Sequence, residues 1–200
     1  MVAGCQPAKD APPQVPGANV PAKTVADRLS LRATRDSELR VADCMLPTPP
    51  TIAEGRVGPI RIGMGVDDVR ATCRILRDSL EFSPGGLERQ LLIAIGIDTA
   101  RLWVSRDTVN EIRISSPRFQ TAGGLRVGAP LVNVANQSEA YSYWSEGLLW
   151  ADSPVFCAIS FGAYAPDLFT RLTQEGDTVS LAAVPRSVRI SEIDVSACHK

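Results

Sequence analysis

The stretch Gly58-Pro59-Ile60-Arg61-Ile62-Gly63-Met64-Gly65-Val66-Asp67-Asp68-Val69 is answered later in the chain by Gly123-Gly124-Leu125-Arg126-Val127-Gly128-Ala129-Pro130-Leu131-Val132-Asn133-Val134. Both read apolar-Arg-apolar-Gly, two residues, then apolar-x-x-apolar. That pattern describes a short strand, a glycine turn and the start of a helix. Gly63 and Gly128 stand where the turn needs a backbone state that a Cβ would hinder. Pro130 sits near a first helical turn, where its missing N–H is harmless.

Working outward, Val66, Val69, Cys73, Leu76 and Leu80 fall at steps of three and four, one apolar helical stripe. Ser83-Pro84-Gly85-Gly86 is expected to stop that helix. The second helix is shorter, with Leu131, Val134 and Ala135. Strands are predicted over Leu91–Ile97, Arg101–Ser105 and Val109–Ser115, the last two joined by a turn at Arg106-Asp107-Thr108. In the second half strands are predicted over Val155–Phe161 and Val188–Ser196, with a short helix over Asp167–Gln174. Val109-Asn110-Glu111-Ile112-Arg113-Ile114-Ser115 and Ile190-Ser191-Glu192-Ile193-Asp194-Val195-Ser196 share the pattern apolar-x-Glu-apolar-x-apolar-Ser. Two anchors recurring in the same order point to a duplication. The fold class expected is α+β: duplicated helix-plus-antiparallel-sheet units behind a disordered, Pro-rich N-terminal tether. The division is 1–24 for the tether, 25–50 for an N-terminal hairpin or helix and linker, 51–122 for the first repeat and 123–200 for the second.

Length and composition suit one globular domain or two small ones: 200 residues, 44% hydrophobic and 22% charged. The net charge of −1, with no basic or acidic block, gives no reason to expect a nucleic-acid partner. No apolar run reaches the length of a membrane span, about 18 residues or more.

The N-terminus opens Met1-Val2-Ala3-Gly4-Cys5. Pro, Ala and Gln dominate from Gln6 to Pro21, which cannot bury enough surface to fold and stays extended. If Cys5 is acylated, four cysteines remain: Cys44, Cys73, Cys157 and Cys198. None forms a C-x-x-C pair, so a zinc site is not expected. Were the domain exported, that even count would suggest two disulfides with three connectivities. If the second half repeats the hairpin geometry of the first, Cys157 falls near Cys198 across the sheet, which leaves Cys44 for Cys73.

Catalytic signals are few. There is no Gly-x-Ser-x-Gly elbow and no phosphate loop. The single histidine, His199, lies next to the C-terminus, a poor place for a base. Asp67 and Asp68 read as helix-dipole partners, and Glu111 and Glu192 as solvent-facing strand positions. No catalytic residue, metal ligand or cofactor is expected. The aromatic residues Tyr141, Tyr143, Trp144, Trp150, Tyr164 and Phe169 mark a candidate binding surface.

Met1–Cys5 resembles a bacterial lipobox, in which the cysteine is acylated. Such a modification at Cys5 implies a lipid anchor and a place in the cell envelope, facing the periplasm or on the outer membrane. A true start at Met1 implies the cytoplasm instead. The Gly-apolar-basic-apolar-Gly-x-x-apolar motif resembles the outer-membrane small lipoprotein A family and domains with the β-lactamase-inhibitor-protein-like fold. The stretch from Asp107 to Val134 resembles the RpoE-regulated lipoprotein family. These resemblances imply an α+β envelope protein with a binding or scaffolding role toward another envelope protein and no catalysis. Inhibition of an envelope hydrolase and an uncharacterised enzymatic activity are the alternative functions.

Overall fold

The structure, a computed structural model, describes Cys44 and residues 51–83, 86–136, 140–145, 147–169 and 178–198. The chain divides into two compact units, residues 1–35 and 36–200, and every described residue lies in the second. Three short strands come first: β1 (Thr51–Ala53), β2 (Arg56–Val57) and β3 (Ile60–Arg61). They precede helix α1 (Val66–Thr72). A four-stranded meander follows: β4 (Ile75–Ser83), β5 (Gly86–Ile95), β6 (Asp98–Ser105) and β7 (Thr108–Ile114). Beyond β8 (Gln120–Thr121) and a 3₁₀ turn at Leu131–Asn136 lie β9 (Tyr141–Ser145), β10 (Leu148–Asp152), β11 (Ile159–Ala163), α2 (Pro166–Phe169) and β12 (Ile190–Val195).

The fold is mostly β. A small sheet has the order β3-β2-β1-β8, and an antiparallel sheet of eight has the order β4-β5-β6-β7-β12-β11-β10-β9. The second order reads alike from either edge. Four strands of one half are followed by four of the other in reverse, and the two last strands meet in the middle. There Ile112 faces Val195, Arg113 faces Asp194 and Ile114 faces Ile193. Arg113 and Asp194 hold the same place in the two recurring strand motifs, so the pairing is symmetric about their rung.

The glycine turns dock onto those strands by matched bonds. In the first half Gly63 N donates to Val109 O (2.7 Å), Val109 N to Met64 O (2.9 Å) and Val66 N to Asp107 O (3.0 Å). In the second, Gly128 N donates to Ile190 O (2.8 Å), Ile190 N to Ala129 O (2.9 Å) and Leu131 N to Val188 O (2.9 Å). Both glycines take the left-handed conformation, with φ of 81° and 87°. The β6–β7 turn needs it too. Arg106 and Asp107 both have positive φ, the backbone of the tight hairpin turn that matches strand twist.

One face of the large sheet is the core. Leu91, Leu102, Ile112, Val195 and Ile159 face one another along one line, and Ile114, Ile193, Phe161 and Ala151 along the next. They form one buried cluster with Val66 and Val69 of α1, Leu131 and Val134 of the 3₁₀ turn, and Ile52, Val57 and Ile60 of the small sheet.

Several expectations are corrected. The helical stripe does not continue to Leu80: α1 ends at Thr72, and Cys73 is already extended. Val66, Val69 and Cys73 are buried, whereas Leu76 and Leu80 are exposed. The segment beyond Cys73 instead forms a strand that pairs with β5 from Ile75 to Ser83, with a register shift between Ile75 and Arg77. The expected strand at Val155–Phe161 begins at Ile159, after a 3₁₀ turn at Pro154–Phe156. The second helix is a 3₁₀ turn. The expected helix from Asp167 to Gln174 is described only as α2, and residues 170–177 lie outside the described residues. The tether, Cys5, and the hairpin or helix and linker at 25–50, Cys44 apart, also lie outside them.

Candidate functional site

Alternation on eight paired strands puts one residue from each on the polar side of the sheet. A single row crosses all eight: Arg77, Leu92, Arg101, Arg113, Asp194, Ser160, Asp152 and Tyr141. The half of the row drawn from β4 to β7 carries arginines, and the half drawn from β9 to β12 carries carboxylates. Corresponding positions at the centre, Arg113 and Asp194, bear opposite charge.

Arg113 is the hub. Its Nε and Nη2 donate to the two oxygens of Asp194, both at 2.7 Å, a bidentate pair. Glu111 lies 3.2 Å from Nη2 and Glu192 3.5 Å from Nη1. The guanidinium also sits over two indoles, 4.5 Å from the Trp103 ring centre and 5.6 Å from that of Trp150. Arg101 approaches Trp103 as well, at 5.7 Å. The Arg113 side chain is only 17% exposed. Burial disfavours its charge, but the Asp194 hydrogen bonds and the carboxylates of Asp194, Glu192 and Glu111 outweigh that and hold its pKa above the ordinary value. Glu111 and Glu192 lie on the polar side, as the alternation implied, but as partners of Arg113.

The second indole arrives by a gap. Trp150 pairs with Gly162, and Gly162 with Glu192. A Cβ on Gly162 would stand 3.0 Å from the Trp150 ring and 3.1 Å from Glu192 Cγ. The glycine therefore leaves the space through which Trp150 reaches toward Arg113, and Trp150 Nε1 donates to Ser145 O at 3.1 Å. Gly162→Ala should cost about 1–3 kcal/mol by overpacking and shift the tryptophan emission, read by urea denaturation and fluorescence. Unchanged stability and emission would refute this account of Gly162. On the other side, the Trp103 indole N–H can only donate and the Glu81 carboxylate only accept, which orients the Gln90 amide with its oxygen toward Trp103 Nε1 (3.1 Å) and its nitrogen toward Glu81 (3.2 Å).

A second cluster lies at the Tyr141 end. Tyr141 and Tyr143 stack with ring centres 6.2 Å apart, and Tyr141 Oη donates to Asp152 at 3.3 Å. Burial raises the Asp152 pKa, and hydrogen bonds from Ser160, Tyr141 and Tyr143 oppose the rise. Burial, then the Asp152 charge, pushes the Tyr143 phenol from 10.0 up to about 12. The folded chain thus keeps a proton that the unfolded chain releases above pH 10. Stability from this group is lost as pH rises from 10.0 to about 12. Tyr143→Phe should lessen that alkaline loss, measured as urea midpoints across the range. An unchanged alkaline slope would contradict it. A cavity of about 480 Å³ opens between Tyr141, Asp152 and Phe156, and another of about 400 Å³ opens beside Arg101, Arg113 and Glu192.

The structure brings together only part of the expected aromatic surface. Tyr141, Tyr143 and Trp150 share the polar side. Trp144 points into the core, and Tyr164 is exposed beyond β11. The backbone of Phe169 ends α2, and its side chain lies outside the described part. Cys157 and Cys198 are bridged, with Cα atoms 5.4 Å apart, as are Cys44 and Cys73, at 4.8 Å. Sequence reasoning passed over Arg113, Trp103, Asp194 and Asp152. The available signal was the recurring strand motif, in which Arg113 and Asp194 hold the same position with opposite charge. Among the described residues, no group of three or more His, Cys, Asp and Glu side chains is placed to hold a metal ion. No described helix is long and apolar enough to cross a membrane.

No protein-family model and no curated protein matches this chain. A solved structure that resembles it is the crystal structure of the uncharacterized protein yfeY from Escherichia coli, at 11% identity and a TM-score of 0.49. The match covers 74% of this chain and 99% of that one.

Proposed function

We propose that the chain is a non-catalytic, lipid-anchored protein of the bacterial cell envelope, and that it binds a partner in the envelope through the polar side of its eight-stranded sheet. The observation that carries the binding reading is the row centred on Arg113. Indole, phenol and guanidinium groups, the side chains that recognition surfaces favour, are held there by one another. Groups already fixed lose little freedom on binding, so more of each contact remains as affinity. The two disulfides favour an oxidising compartment. The lipobox-like Met1–Cys5 supplies the anchor, since acyl chains on Cys5 would contribute about 0.8 kcal/mol per buried CH₂. The same reading takes the two halves as duplicated units, on the matched docking bonds and the symmetric pairing of β7 with β12.

The test has two arms. The gene is expressed with its native upstream DNA, and the N-terminal peptide is weighed for an acyl adduct on Cys5, with Cys5→Ser as control. In the same cells a photocrosslinking residue replaces Tyr141, Arg101 or, as control, Arg126. Acylation, and a discrete adduct from Tyr141 and Arg101 but not Arg126, is the expected result. An unmodified Cys5 overturns the anchor. Adducts that ignore position, or none at all, overturn the binding face.

A further inference from the structure

The two edges of the large sheet are treated differently. At one, Tyr143 of β9 is bridged by Thr178. At the other, β4 is the outermost strand, nine residues long, and no described strand pairs with its far side. A long edge strand presents unpaired N–H and C=O groups and is a ready template for another strand.

The hairpin of β4 and β5 also carries apolar side chains that the core does not use. Leu80, Phe82 and Leu87 are 67%, 86% and 70% exposed, and Phe82 faces Leu87 across the hairpin. A belt of charge separates them from the core. Arg89 bonds Asp78 and Asp107, and Asp78 also holds Arg70. The three apolar residues therefore stand outside that seal.

We propose that this edge is a homodimer interface, in which β4 pairs antiparallel with β4 of a second copy about a twofold axis at Ser79. The charges on the strand select this register. Side chains must stay on their own side of the joined sheet, so odd residues face odd residues. Centred on Ser79, within the regular part of the strand beyond the irregularity at Ile75–Arg77, the pairing sets Arg77 opposite Glu81 twice and Leu80 opposite Asp78 twice. Centred on Leu80, it leaves Arg77 facing Ser83. Centred on Glu81, it sets two glutamates face to face, a destabilising contact. Within one copy Arg77 already reaches Glu81 (2.6 Å), so the pair is exchanged between copies rather than created. An isologous contact of this kind closes on itself and stops at two copies.

The full-length protein is examined by sedimentation at micromolar concentration, beside Arg77→Glu, Glu81→Arg and the double exchange. The wild type is expected to be dimeric. Each single variant should raise the dimer Kd by about tenfold or more, because two like-charge contacts replace two opposite ones. The double exchange should restore it. Melting curves establish that each variant is folded. Hydrogen exchange of the wild type tests the same pairing without substitution, since amides of β4 should be protected more as concentration rises. A wild-type monomer, or single variants as dimeric as the wild type, overturns the proposal. So does a monomer that floats with vesicles of phosphatidylethanolamine and phosphatidylglycerol and is released by Phe82→Ser, which would assign the patch to a lipid surface.

Discussion

Arg113→Leu should destabilise the fold by about 3–5 kcal/mol, the scale for removing one partner of a buried ion pair. Leucine fills much of the same volume, so the loss is one of charge rather than of packing. Asp194 loses both of its 2.7 Å hydrogen bonds. Asp194, Glu192 and Glu111 then lose the cation that all three contact. Arg113→Lys keeps the charge but not the planar fork or the stack on Trp103, so a smaller loss is expected. The Arg113→Leu/Asp194→Leu double variant should be more stable than the sum of the singles predicts, because the two groups that hold each other leave together. Urea denaturation of the four proteins closes the cycle. A loss under about 1 kcal/mol for Arg113→Leu would place the pair with ordinary surface ion pairs, and the hub would lose its structural role.

The parts of this architecture that could be read from sequence are those set by local chemistry. Alternation across Arg101–Ser105 and Val109–Ser115, with a turn between, gave the central hairpin. Gly63 and Gly128 marked their turns because a left-handed residue within an apolar pattern calls for glycine. Long-range register was not legible. Glu192 and Asp194 each look like an ordinary outward-facing strand residue, and only the pairing of β7 with β12 brings them to the guanidinium that Glu111 adjoins on its own strand. Helical spacing misled at Leu76 and Leu80, because three-and-four spacing also occurs by chance in a strand whose apolar side chains stay exposed. Strand β9 was hidden by its inward Ser142. The segment Tyr141–Ser145 alternates in burial, but that inward position is polar, and its hydroxyl is satisfied by Val179 O. Trp144 was accordingly taken for part of a surface, although it lies on the core side.

Replacing either cysteine pair by alanine should cost about 3.5–4 kcal/mol in the chain-entropy account, since the bridges close loops of 29 and 41 residues. The two bridges should nevertheless differ in how they are lost. Cys44 and Cys73 are both buried, and their sulfurs belong to the core beside α1. Cys157 and Cys198 are half-buried, and Cys157 lines the cavity beside Tyr141. Thiolate attack requires access to a sulfur, so brief treatment with dithiothreitol should open Cys157–Cys198 first, and alkylation should label those two before the others. The open form should stay folded, because Ile159 still pairs with Val195 and Ser196 N still donates to Ala158 O at 2.9 Å. Cys44→Ala/Cys73→Ala should lose more than its partner variant, because two buried sulfurs leave a cavity in addition to the lost cross-link. Simultaneous labelling of all four thiols, or equal losses from the two replacements, would contradict this ordering. Four free thiols in the protein isolated from an exporting host would remove the bridges themselves and the main support for an oxidising compartment.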